Sequence, residues 1–130
     1  MNWTGWTIER FLILFVAIAY LLIGVQVTMS HYRQNFHHKA MWAPVVASPI
    51  FTITGLMLAM ARSEWLFTLF ALLMWVAIVA GIGGFYYHFH GVRIRVGGWA
   101  PRNFLVGPPV IQPLLFSAVG ALGLAAVYWG

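Results

Sequence analysis

The side chains with the greatest chemical capacity in this chain are five histidines, His31, His37, His38, His88 and His90, in two short clusters. Neutral imidazole is a common ligand for transition metals and for heme iron. His31 follows Gly24 by seven residues and His88 follows Gly81 by seven, a spacing that stacks both positions on one helix face. Ala17, Gly24, Thr28 and His31 share such a face, and Ala77, Gly81, Gly84 and His88 share another. Small residues below a histidine have two readings. They let a second helix approach closely, or they leave a flat slot for a planar cofactor whose metal the histidine ligates. In the second reading His31 and His88 hold a b-type heme or a chlorin, with Gly24, Gly81 and Gly84 beside it.

A metal site built from the histidine clusters is the competing chemistry. His31-x5-His37-His38 and His88-x-His90 supply five donors for a mononuclear zinc or copper ion. His88 and His90 diverge on a helix and converge only if the helix ends by Phe89. The only acidic side chains, Glu9 and Glu64, fall on the opposite membrane face from the histidines, which excludes a carboxylate-bridged metal pair. With no cysteine there is no disulfide, iron–sulfur or zinc-thiolate chemistry. With no aspartate there is no Ser/His/Asp set, and no glycine-rich phosphate loop follows a strand. The expectation is a chain without a catalytic constellation of its own.

The elements that carry these residues are set by composition. Of 130 residues, 62% are hydrophobic and 7% charged, against about 25% charged in an average soluble domain. A chain this small has too little interior to hide so much apolar surface from water. The reading is an all-α integral membrane protein, one domain over residues 1–130 with four transmembrane helices. Their spans are about 8–31, 42–61, 65–88 and 108–129. The first span is read as a retained helix, because Glu9 beside Arg10 leaves no net positive leader before it. The link Arg62-Ser63-Glu64 is short enough to force an antiparallel pair of helices two and three.

Charge in the links gives an orientation. The face with both termini and the short link carries Arg10 and Arg62, whereas the long-link face carries Arg33, Lys39, Arg93, Arg95 and Arg102. Five against two places the long loops in the cytoplasm and both termini outside. All five histidines belong to the basic face. No ionisable residue falls in mid-span, which argues against a lone ion or proton transporter. Ser48, Thr52, Gly55 and Ala59, and Ser117, Ala121 and Ala125, form stripes of the kind that pack helices together.

The two halves echo each other. Gly24, His31 and Pro44-x4-Pro49 in the first match Gly81, His88 and Pro108-x4-Pro113 in the second. Read as a duplication, this gives two helical hairpins in a parallel repeat, with His31 and His88 at one depth. Glycines and N-terminal prolines are also common in membrane helices without any repeat.

The segments His31-Tyr32-Arg33, Asn35-Phe36-His37, Met41-Trp42-Ala43-Pro44, Asn103-Phe104-Leu105-Val106-Gly107-Pro108-Pro109 and Pro113-Leu114-Leu115-Phe116 resemble small four-helix bacterial inner-membrane proteins of uncharacterised function. The resemblance implies four spans and a bacterial cytoplasmic membrane, and it carries no activity. In outline the chain is also similar to the heme-bearing anchor subunits of respiratory dehydrogenases. Two functions follow as expectations. One is a non-catalytic accessory or anchor subunit of a respiratory or photosynthetic electron-transfer complex. The alternative is a membrane electron carrier with a b-type heme or chlorin on His31 and His88. The partners expected are other membrane subunits, lipids and a quinone, and not nucleic acid.

Overall fold

The computed structural model describes residues 2–129. Four helices are long and apolar enough to cross a membrane, consistent with a multi-pass membrane protein. They are α1 (Ile8–Arg33), α2 (Trp42–Met60), α3 (Glu64–Val96) and α5 (Ile111–Trp129), with a short α4 (Pro101–Val106) between the last two. A 3₁₀ turn, Lys39–Met41, leads into α2. No strand occurs among the described residues. Six of the eight ends of the long helices follow the sequence reading to within two residues. The exception is the second long link, where α3 continues to Val96, α4 forms, and α5 begins only at Ile111. At 33 residues, α3 is about 50 Å long and outruns the roughly 30 Å hydrocarbon core. Its last turns therefore stand out on the basic side, closed by Gly97 in the left-handed conformation that glycine adopts without strain.

The closest pairings are α1 with α2 and α3 with α5; α1–α5 and α2–α3 contacts join the two hairpins. Each pair closes at a glycine facing a serine. A Cβ on Gly24 would come within 2.7 Å of Ser48 Cβ, and one on Gly81 would run into Ser117 Oγ and Pro113 O. The serine hydroxyls spend their hydrogen bonds on helix carbonyls, Ser48 Oγ on Pro44 O (2.6 Å) and Ser117 Oγ on Ile78 O (2.8 Å). No polar group is thereby left bare in lipid. This pairing corrects the register of the sequence repeat. Ser48 follows Pro44 by four residues and Ser117 follows Pro113 by four, so Pro44 corresponds to Pro113 rather than to Pro108. Pro113 also lies in the first turn of α5, where its missing N–H breaks no helix bond. Pro49 is inside α2, which runs through it unbroken from Trp42 to Met60.

The core lies toward the termini. Tyr20 of α1 is fully buried, its ring edge-on to Phe51 of α2 and Phe116 of α5, with its hydroxyl donating to Phe116 O at 2.7 Å. Ile13, Val16, Phe70 and Met74 fill the layers below. At that end the free carbonyls of the last turn of α2 are capped from a distance. Trp3 Nε1 donates to Leu58 O (2.6 Å) and Arg10 Nε to Ala59 O (2.7 Å), with the Arg10 guanidinium over the Trp6 ring. Arg10 is thus a structural cap as well as a surface charge. Large apolar side chains such as Leu22, Ile53, Leu72 and Val79 point outward, as a lipid-facing surface requires.

The glycine contacts predict a contrast. Gly81→Ala forces a methyl group into Ser117 and the α5 backbone and should cost about 1–3 kcal/mol of stability. Gly83→Ala, one turn-position away with nothing within 4 Å, should be neutral or gain up to about 1 kcal/mol of helix propensity. Unfolding of the two variants in mild detergent checks this; equal stabilities would contradict the packing described.

Candidate functional site

Above the Tyr20 layer the two hairpins part, and a cavity of about 630 Å³ opens among the ends of α1 and α3 and the starts of α2 and α5. His31 and His88 both lie in its wall, with ring centres 6.5 Å apart and ring planes at 63°. They come from parallel helices at matching depth, the juxtaposition that the repeat requires.

Each ring is fixed by a backbone carbonyl. His31 Nδ1 lies 2.7 Å from Met41 O, and His88 Nδ1 lies 2.7 Å from Pro109 O. A carbonyl only accepts, so each Nδ1 carries its proton, and in the neutral ring Nε2 keeps its lone pair. Neither Nε2 has a hydrogen-bond partner among the described residues. Pro109 precedes α5, so its carbonyl lies outside the helix ladder and is free to accept from His88.

His31 is held by an unusual turn. After α1 ends, Asn35 and Phe36 take positive φ values of 58° and 45°, which for phenylalanine costs on the order of 1–2 kcal/mol. The strain is offset by Phe36 stacking on Trp42 at 3.9 Å and 13°, and by Phe36 N–H donating to His31 O at 3.0 Å. This turn brings the chain back across α1, so Met41 O meets the His31 ring, which is 8% exposed.

His31 and His88 are the two side chains that would hold a metal here, each through its free Nε2. At metal–nitrogen bonds of about 2 Å, two imidazoles on opposite sides of one metal have centres about 6 Å apart, and a tetrahedral pair about 5 Å. Ring centres 6.5 Å apart are within the distance at which His31 and His88 would both reach one metal ion. A Nδ1–H held by a carbonyl, with Nε2 left free, is also the usual outer-shell arrangement of a ligating histidine.

The other sequence candidates divide. His37, His38 and His90 also line the cavity, and of these three only His37 shares the carbonyl-anchored Nδ1 of His31 and His88. His38 Nδ1 accepts from Ala40 N–H and caps the 3₁₀ turn, His37 Nδ1 lies 3.1 Å from Gln34 O, and the His90 ring stacks on Tyr86. No group of three metal-binding side chains converges among the described residues. The five-histidine zinc or copper site is therefore not assembled, in part because α3 continues past Phe89 and splays His88 and His90 apart. Gly24 is a correction too. It faces Ser48 in an apolar groove between α1 and α2, away from the histidines. Gly81 and Gly84 do border the cavity, yet their open sides are filled by Ser117 and Pro113, so they serve helix approach. Sequence reasoning missed the Met41 and Pro109 carbonyls that accept from the two rings, because a backbone acceptor is not marked by its residue type.

No family model, curated protein or solved structure matches this chain. The site is read from its geometry.

The tautomers are directly testable. Imidazole ¹⁵N spectra of the histidine-labelled protein, at a pH where the rings are neutral, should show His31 and His88 as Nδ1–H and His38 as Nε2–H. An Nε2–H form at His31 or His88 would contradict the carbonyl anchoring.

Proposed function

We propose that this chain is an electron-transfer subunit of a larger membrane complex, holding a b-type heme between His31 and His88. The observation that carries the reading is the pair of anchored imidazoles, 6.5 Å apart at one cavity. Heme iron in such a site supplies reversible one-electron transfer. The chain's own residues fix both rings in the ligating tautomer and hold them at one depth, while Phe116 and Val27 keep the inner end of the cavity apolar. In this reading the chain carries electrons or anchors the subunits that exchange them. Its partners are then other membrane subunits, with a quinone pool as the electron source or sink. In this reading it resides in a bacterial cytoplasmic membrane, basic loops inside and both termini outside.

A second reading, an accessory subunit without a cofactor, is favoured by one observation. The glycines below the histidines are filled by α5 side chains and backbone, so small-residue spacing no longer argues for a slot.

The two readings separate on a reduced-minus-oxidised visible spectrum of protein purified from bacterial membranes. The heme reading predicts sharp α and Soret bands at about one heme per chain, lost in His31→Ala and in His88→Ala and retained in His90→Ala. A featureless spectrum from folded protein would refute it and leave the accessory subunit.

A further inference from the structure

The cavity that holds the histidine pair is graded along its depth. Phe116, Ala80 and Gly81 form its inner part, His31 and His88 its middle, and Gln34, His37, His38 and Arg95 its outer rim. Of the five Lys and Arg side chains on this face, Arg95 is the one in the cavity wall. It has no carboxylate partner among the described residues. Glu9 and Glu64 sit in the first turns of α1 and α3, at the opposite end, and Arg62–Glu64 is the only ion pair among the described residues. The one polar contact of Arg95 is a long one, Nη1 to Gln34 Oε1 at 3.5 Å. By contrast Arg93 leaves the cavity and lies over the Trp99 ring.

We infer that Arg95 receives the carboxylate edge of the bound tetrapyrrole, so that the ligand enters apolar edge first and its acidic groups face the basic side. This rests on the heme reading above and adds the ligand's orientation and the residue that sets it. A guanidinium matches a carboxylate in shape and charge, and this rim offers no internal anion to compete. Gln34 accepts one long contact from the guanidinium through its side-chain oxygen and leaves the other N–H groups of Arg95 unpaired among the described residues. Arg95 acts as a binding and positioning residue and touches no metal.

The test uses the full chain, purified without tetrapyrrole in mild detergent and titrated with ferric protoporphyrin IX and with its dimethyl ester. In the wild type the diacid should bind about tenfold more tightly than the diester, a typical value for one charge-assisted contact near water. Arg95→Gln should erase that preference while keeping the same low-spin spectrum, Arg95→Lys should restore part of it, and Arg93→Gln should leave it intact. Comparing ratios across variants cancels the ester's greater solubility in the micelle. An equal preference in wild type and Arg95→Gln, or none in the wild type, overturns the inference while leaving the histidine pair in place. If neither porphyrin gives a His31- and His88-dependent low-spin spectrum, the heme reading falls and this inference with it.

Discussion

Everything at the basic end of the molecule depends on how closely each hairpin closes two turns below it. Gly24 against Ser48 and Gly81 against Ser117 bring backbones together where any side chain would hold them apart. In lipid there is little hydrophobic gain between helices, so close packing and satisfied hydrogen bonds do this work. Seven residues further along the same faces stand His31 and His88. The close approach fixes the height at which the entry segments of α2 and α5 pass those rings, and thus places Met41 O and Pro109 O within hydrogen-bond reach. A wider hairpin would leave each imidazole free to rotate and each Nδ1 without a partner.

The two ends of the bundle are built on different principles. Toward the termini, Tyr20, Phe51 and Phe116 interlock, and Trp3 and Arg10 close the exposed carbonyls of α2. Toward the loops, Phe36 accepts a left-handed backbone and α3 runs on past the length of a bilayer span. Strained and unpaired backbone gathers where a site is built rather than where the fold is held. The cavity lies on that side of the boundary, bounded inward by the Phe116 ring that also packs on Tyr20. Core and site therefore share a wall.

Much of this was legible in the sequence because membrane helices announce themselves by length and apolarity. The four spans, the basic face and the seven-residue step from glycine to histidine all follow from residue types and spacing. The choice between a packing glycine and a cofactor glycine did not, since it depends on what the neighbouring helix places opposite: Ser48 for Gly24, Ser117 for Gly81 and Pro113 for Gly84. Nor did the extension of α3 past His88, because Gly91, Arg93 and Arg95 read as a link until the helix is seen to continue through them. The repeat was visible but matched one proline out of register, since Pro44-x4-Pro49 and Pro108-x4-Pro113 share an internal spacing while packing sets Pro44 against Pro113. Tyr20 gave no signal beyond its aromatic ring, because its acceptor lies ninety-six residues away on another helix.

The central claim is that one metal is held by His31 and His88 together. It is tested most directly by low-temperature electron paramagnetic resonance of the oxidised protein and of the variants His31→Gly and His88→Gly, each with and without added imidazole. The account predicts a low-spin bis-imidazole signal in the wild type. Either variant should convert it to high spin, and free imidazole entering the vacated position should restore it. A wild type without a low-spin iron signal, or a signal that survives either substitution without imidazole, would contradict the account.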